Sequence, residues 1–157
     1  MLSRREAIQF AIQNEIKSQN LYKMMAEAFR KSDSGETFKN LQPLEKIHEE
    51  KLTELYHKEF PYNKLQIDRN LLPKAETNEQ LNEPRAAILF AQQREDNAKE
   101  GYLELARTSA EPKVKELFEN LAEEEEDHHQ LLQNILDQME GTMMWYDESE
   151  LDGLMEY

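Results

Sequence analysis

The sequence contains no cysteine. A chain without cysteine cannot form disulfides, thiolate-ligated zinc sites or iron–sulfur centres, and the rubredoxin-type iron centre is excluded for the same reason. Any metal bound by this protein must therefore be held by nitrogen and oxygen atoms. The length of 157 residues is that of one ordinary domain, which can bury a sufficient hydrophobic core without disulfides.

Glycine, proline and long hydrophobic runs are also scarce. Only 4 Gly and 5 Pro occur, whereas the strong helix formers Glu, Leu, Ala, Gln and Lys are abundant. This composition predicts long helices and an all-α fold. No apolar stretch reaches 18 residues, and residues 1–10 are charged from Arg4 onward, unlike a signal peptide. We therefore expect a cytoplasmic protein.

Basic residues are few compared with acidic ones. The chain has 33 acidic and 19 basic residues, which give a formal net charge of −14. A surface with this charge repels the phosphates of nucleic acids and the headgroups of anionic lipids. We therefore expect no nucleic acid and no membrane among the partners of this protein.

The sequence does contain an internal repeat with a constant offset of 80 residues. Residues 5–15 and 85–95 both read R-x-A-I-x-F-A-x-Q-x-E. The same offset pairs further positions along the chain: Tyr22 with Tyr102, Ala26 with Ala106, Phe38 with Phe118, Leu41 with Leu121, Glu45 with Glu125, His48 with His128 and Leu52 with Leu132. A constant offset indicates two copies of one structural unit.

Apolar residues at three- and four-residue steps predict four helices, at about residues 3–31, 36–60, 83–108 and 112–140. Short turns join the first two and the last two, and the long connection 61–81 lies between them. This order is that of a ferritin-like four-helix bundle with a long crossover between helices two and three. We predict that residues 1–141 form the bundle and that residues 142–157 form a C-terminal tail, with a short docking helix as one option.

Three residues determine the expected helix details. Pro43 falls inside helix two, where it predicts a kink or bulge just before Glu45, with a simple tolerated bend as the alternative. Asn82 is the expected cap of helix three. Gly141 is expected to end helix four.

Each copy of the repeat carries a lone Glu and then a Glu-x-x-His. The candidate metal ligands are Glu15, Glu45, His48, Glu95, Glu125 and His128. Residues three apart lie on nearly the same helix face, so each Glu-x-x-His can chelate one ion, and the full set is that of a carboxylate-bridged two-metal site. A competing pair, Glu126 and His129, lies off the apolar stripe of helix four. We assign His129 to the surface and the off-stripe acids of residues 123–127 to a solvated face.

The heights of these residues in the bundle also agree. The midpoint between Glu15 and His48 falls at or next to the first expected turn, and the midpoint between Glu95 and His128 falls at or next to the second. Two antiparallel helices joined by a turn bring such pairs to the same level. We therefore expect the candidate ligands to meet in one layer.

Charge favours metal over a purely structural role for these residues. Four buried carboxylates are very costly unless they are protonated or neutralised, and two divalent cations cancel four negative charges. Carboxylates with one imidazole per metal suit iron or manganese, and zinc is also compatible. In this arrangement Glu15 and Glu95 would be terminal ligands, whereas Glu45 and Glu125 would bridge the two ions.

Two tyrosines lie two helical turns beyond the lone glutamates. Tyr22 follows Glu15 by seven residues and Tyr102 follows Glu95 by seven, on the same helix face. They either support the ligand carboxylates by hydrogen bonds and assist the chemistry, or are core tyrosines whose hydroxyls are satisfied elsewhere.

Over about residues 4–140 the chain resembles the rubrerythrin-like branch of the ferritin-like superfamily. The matching motifs are A-I-Q-N-E ending at Glu15, L-E-K-I-H ending at His48, A-Q-Q-R-E ending at Glu95 and L-A-E-E-E-E-D-H ending at His128. The resemblance implies a non-haem di-iron site that reacts with hydrogen peroxide or dioxygen, and a homodimer. Two departures matter: without cysteine the protein needs a separate electron donor, and Ala98 stands where the family tends to carry a further Glu.

Three functions are compatible with the sequence. The leading one is a rubrerythrin-like peroxidase or ferroxidase, a di-iron oxidoreductase that couples ferrous oxidation to reduction of hydrogen peroxide or dioxygen. The second is a non-catalytic metal-binding protein for iron handling or oxidant sensing, with the tail as its docking element. The third is a metal-free interaction bundle.

Overall fold

The computed structural model describes residues 1–74 and 82–156, with side chains described as far as Gly141. The helices are α1 (Arg4–Ala28), α2 (Asp33–Glu59), α3 (Pro84–Arg107) and α4 (Pro112–Glu156). α1 packs chiefly against α2, and α3 packs chiefly against α4. The described residues contain no strand. The predicted all-α four-helix bundle is thereby confirmed.

The helix starts follow ordinary capping rules. Ser3 caps α1 in a capping box with Glu6, in which each side chain bonds the backbone N–H of the other residue. α3 is capped by Glu83, whose carboxylate accepts from the N–H groups of Arg85 and Ala86. The expected cap at Asn82 is therefore wrong by one residue, because the longer Glu83 side chain can reach the same first-turn donors.

The turn between α1 and α2 lies earlier in the chain than we expected. α1 ends at Ala28 and α2 begins at Asp33, so the turn keeps its predicted length but is shifted by three residues toward the N-terminus. A Cβ atom on Gly35 would lie 2.5 Å from the carbonyl oxygen of Phe29. Only glycine allows the backbone at the start of α2 to lie this close to the backbone that follows α1, which explains the glycine at position 35.

Two expectations about helix continuity meet different outcomes. α2 stays α-helical around Pro43, so the helix tolerates the proline without a bulge. The prediction that Gly141 ends α4 is wrong, because this helix continues to Glu156. Gly141 is helical, and a glycine inside a helix costs only about 1 kcal/mol relative to alanine, which a long helix can absorb. A docking role for residues 142–157 stays a prediction.

The first part of the crossover lies along α1. The Gln13 side chain donates to the carbonyl of Asp68 and accepts from its N–H, both at 2.7 Å. Asn20 donates to the carbonyls of Arg69 and Leu71 at 2.9 and 2.8 Å. These amide side chains satisfy the backbone of a segment that has no secondary structure of its own. Residues 75–81 of the predicted crossover lie outside the described residues.

Two apolar clusters fill the bundle and leave a polar layer between them. One cluster lies around Ile12, Leu52 and Phe118, and the other lies around Met25, Phe38 and Leu132. Buried charged residues separate the two clusters at mid-height. Among the described residues, no helix is long and apolar enough to span a membrane.

Candidate metal centre

The polar layer contains all six residues that the sequence predicts as metal ligands. Each is almost fully buried, with an exposed fraction between 1 and 3%. They come from the middle of all four helices: Glu15 from α1, Glu45 and His48 from α2, Glu95 from α3, and Glu125 and His128 from α4. The structure therefore brings together the whole predicted set.

These residues form two overlapping groups, in each of which four ligand atoms lie within 4.8 Å of one another. The first group is Glu15, Glu45, His48 and Glu125, and the second is Glu45, Glu95, Glu125 and His128. Glu45 and Glu125 belong to both groups. Sharing of this kind is the arrangement expected of two bridging and two terminal carboxylates.

The two histidines approach the centre in closely similar ways. His48 Nδ1 lies 2.8 Å from Glu125 and 3.6 Å from Glu15, and His128 Nδ1 lies 2.7 Å from Glu45 and 3.6 Å from Glu95. Their rings stack with centroids 5.4 Å apart. Each imidazole thus lies nearest to the shared carboxylate of the other half of the chain.

Both candidate tyrosines contact the lone glutamates, and each contact crosses between the halves. The Tyr22 hydroxyl donates to Glu95, and the Tyr102 hydroxyl donates to Glu15. Burial, and then the neighbouring carboxylates, raise the pKa of both tyrosines well above the ordinary value. Both hydroxyls therefore keep their protons and act as donors.

The carboxylates at the centre are electrostatically frustrated. Burial, and next the charges of Glu15 and Glu95, raise the pKa of Glu45 well above its ordinary value. Burial acts in the same direction on Glu15, but hydrogen bonds to Glu45 and His48 outweigh it and lower its pKa. Burial and the neighbouring charges therefore favour the protonated form of Glu45.

Several atoms at the centre have no hydrogen-bond partner. They are Glu15 Oε2, Glu45 Oε1, Glu95 Oε2 and His128 Nδ1. His128 Nδ1 and Glu45 Oε1 lie 2.7 Å apart but lack hydrogen-bond geometry. An unpartnered buried polar group costs about 1–3 kcal/mol. The unpartnered atoms are carboxylate oxygens and an imidazole nitrogen, so the donor set fits metal ions of the iron or manganese type.

Sequence reasoning missed two charged residues that lie beside this centre. Glu124, which we assigned with its neighbours to a solvated face, lies 2.9 Å from His48 Nε2. Arg94 donates to Ser18 Oγ at 3.0 Å and to the carbonyl of Asn14 at 3.1 Å, next to the glutamate at position 95. In the sequence, these two residues were marked only by a break in the repeat. Leu44 stands at the position that corresponds to Glu124, and Asn14 stands at the position that corresponds to Arg94.

The competing pair on α4 does not join the centre. His129 lies outside both groups, and its Nδ1 lies 2.8 Å from Asp96 Oδ1. Its side chain is 26% exposed, so it is half-buried and not fully on the surface as we expected. The stripe argument therefore separates His128 from His129 but underestimates how far His129 is covered by α3.

A groove between α1 and α3 reaches the centre from outside. Its volume is about 790 Å³, and Ala7, Phe10, Ala98 and Gly101 line it together with Glu15 and Tyr102 of the centre. In the other half, the position that corresponds to Gly101 is Leu21, which is 1% exposed. The missing side chain at Gly101 leaves this end of the groove open.

Comparisons with known proteins agree with this fold. The rubrerythrin family model matches residues 6–88 and 86–151. A solved structure of a hypothetical protein from Pyrococcus furiosus is similar at 29% sequence identity with a TM-score of 0.73, over 85% of this chain and 87% of that one. No curated protein matches the sequence.

Proposed function

The chain belongs to the rubrerythrin family, and we propose that it is a non-haem di-iron oxidoreductase. It would couple the oxidation of two ferrous ions to the reduction of hydrogen peroxide or dioxygen. The observation that carries this proposal is the pair of overlapping four-residue groups, in which buried carboxylate and imidazole atoms converge and four of these atoms have no hydrogen-bond partner. Two divalent cations would neutralise the four carboxylates.

The residues fall into clear roles in this proposal. Glu45 and Glu125 would bridge the two ions, since both belong to both groups. One ion would also be held by Glu15 and His48, and the other by Glu95 and His128. When bound, two ferrous ions would supply the two electrons that reduce one hydrogen peroxide, which takes up two protons, to two water molecules.

Tyr22 and Tyr102 hold the terminal carboxylates in place. Each hydroxyl donates to one oxygen of a lone glutamate and leaves the other oxygen of Glu15 or Glu95 unpartnered. A carboxylate oriented in this way needs little rearrangement on binding a cation. Because both hydroxyls stay protonated, Tyr102 also places a proton where the α1–α3 groove reaches the centre.

The α1–α3 groove is the route that we propose for the oxidant. A cavity of about 790 Å³ reaches Glu15 from this side, and the residues that line it near the centre include the small residues Ala7, Ala98 and Gly101. The reductant that restores the ferrous state would be a separate electron donor, since the chain has no cysteine for an iron–sulfur centre. A homodimer also stays a prediction.

Anaerobic titration of the metal-free protein with ferrous iron, followed by stopped-flow mixing with peroxide or oxygenated buffer, tests the proposal. We expect saturation at about two ions per chain and rapid oxidation of the bound iron. Glu45→Ala should remove both properties, whereas Glu123→Ala, an exposed glutamate of α4, should leave them unchanged. Wild-type protein with no saturable iron, or iron that peroxide and oxygen leave ferrous, would disprove it.

A further inference from the structure

The two histidines of the centre differ in what lies behind their rings. His48 directs Nδ1 to the centre, and its Nε2 lies 2.9 Å from Glu124 Oε2. For His128, every polar contact among the described residues is made by Nδ1. The residue that corresponds to Glu124 in the first half is Leu44, which cannot bond an imidazole. The repeat is therefore broken at the position that supports one histidine.

A carboxylate behind a ligand imidazole has two effects. It accepts the proton of Nε2, which leaves Nδ1 unprotonated and ready to bind a cation, and it fixes the orientation of the ring. It also makes the ligand nitrogen more basic. The Glu124 side chain is 44% exposed, so it can fulfil this role without being buried as a charge itself.

We propose that the two metal positions are unequal, and that Glu124 is the positioning residue that makes the position at Glu15 and His48 the tighter one. This inference rests on the proposed function, because it requires two cations at the centre. It predicts that the first ion binds at Glu15 and His48 and that the second ion binds more weakly at Glu95 and His128.

Titration of the metal-free protein with Co²⁺ under anaerobic conditions, followed by visible absorbance and calorimetry, tests the order of binding. We expect two unequal steps in the wild type. Glu124→Leu, which gives the second half the residue of the first, should weaken the first step about 10- to 100-fold and leave the second nearly unchanged. Glu123→Leu removes the same charge from the neighbouring exposed position and should change neither step.

The reverse change gives a gain of binding that misfolding cannot imitate. Leu44 is 40% exposed, so Leu44→Glu places a carboxylate behind His128 without burying it. This variant should tighten the second step and leave the first unchanged. Nuclear magnetic resonance supplies a direct signature: with one Co²⁺ bound, the shifted Nε2–H signal of His48 should exchange slowly in the wild type and rapidly in Glu124→Leu.

The outcomes separate this inference from the proposed function. Two equal steps in the wild type, or two steps that neither Glu124→Leu nor Leu44→Glu changes, would overturn the inference and leave a two-metal centre intact. Wild-type protein that binds neither Co²⁺ nor ferrous iron would overturn both. Selective weakening by one variant and selective tightening by the other would establish Glu124 as the positioning residue.

Discussion

The two halves of the bundle are alike inside and different outside. Tyr22 stacks on Phe38 in the first half as Tyr102 stacks on Phe118 in the second, with ring centroids 6.3 Å apart in both. Each histidine of the centre lies 3.6 Å from a lone glutamate. The repeated unit thus reproduces the core and the candidate ligands almost without change.

The outer faces differ because each half has a different neighbour. In the first half the crossover covers α1, and Arg69 makes a bidentate ion pair with the buried Glu49. In the second half the residue that corresponds to Glu49 is His129, which pairs with Asp96 across α3 and α4. The candidate ligands therefore lie on the faces that the two halves share, whereas the proposed inequality of the two metal positions depends on residues at which the halves differ.

Removal of one terminal carboxylate at a time should break the symmetry of the centre most strongly. Glu95→Ala should leave one tight equivalent of ferrous iron, and Glu15→Ala should leave one weak equivalent, because each variant removes a ligand from only one group. We expect the lost equivalent to weaken by more than about 100-fold, since removal of an outer partner alone costs 10- to 100-fold. Isothermal titration distinguishes the two variants; identical curves would contradict the inequality of the positions.

Substitution of the two proposed bridging glutamates should have different effects on the stability of the metal-free protein. Glu45→Gln removes a carboxyl group that burial and two neighbouring carboxylates hold at a raised pKa, so it should stabilise the metal-free fold by about 1–3 kcal/mol. The matched change Glu125→Gln weakens a 2.8 Å hydrogen bond to His48 and should not stabilise it. Chemical denaturation of both variants without metal tests this, and equal effects would show that the halves are equivalent here.

The stability of the metal-free protein should also depend on pH, and the direction of this dependence follows from the raised pKa of Glu45. A carboxyl group with a pKa raised in the folded state keeps a proton that the unfolded chain has already released. The metal-free wild type should therefore lose stability as the pH rises above the ordinary carboxyl range toward the raised pKa of Glu45. The advantage of Glu45→Gln should grow over the same interval, and an advantage that shrinks as the pH rises would contradict this account.

The sequence predicts most of the fold and the candidate centre because both depend on a repeat and on helical periodicity. The order of the four helices and the convergence of the six ligand positions follow from residues 5–15, 85–95 and the two Glu-x-x-His motifs. The helix ends were less predictable. They depend on local contacts such as the close approach at Gly35 and on the tolerance of α4 for Gly141.

Residues that act across helices could not be predicted in the same way. Glu124 contacts a histidine 76 positions away, and Arg94 donates to Ser18 across the groove. Periodicity within one helix carries no information about which side chain of another helix lies opposite. Only the breaks in the repeat at Leu44 and Asn14 marked these positions, and a break alone does not identify a partner.

The ion pairs on the outer faces should also have unequal effects on stability. Arg69→Ala leaves Glu49, whose side chain is only 7% exposed, without its bidentate partner, so we expect a loss of about 1–3 kcal/mol. Asp96→Ala breaks the corresponding pair in the second half, where neither partner is as buried as Glu49, and should cost less than about 1 kcal/mol. Thermal unfolding of the metal-free variants compares them. Rescue of Arg69→Ala by Glu49→Gln would confirm the cause, and equal losses would contradict it.

The smallest expected effect concerns Gly101, which has no side chain to fill the groove and corresponds to Leu21 in the other half. A Cβ on Gly101 would meet no atom within 4 Å, so Gly101→Ala should stabilise α3 by about 0.5–1 kcal/mol, which corresponds to an increase of about 1–4 °C in Tm. Gly101→Leu should stabilise the helix similarly but narrow the groove, so that peroxide oxidises the bound iron a few-fold more slowly while the metal titration stays unchanged. Both variants remove the glycine, but only the leucine variant fills the groove. The alanine variant therefore separates the effect of helix propensity from the effect on access of the oxidant to the centre. Equal oxidation rates in the two variants would show that the oxidant reaches the centre from another side.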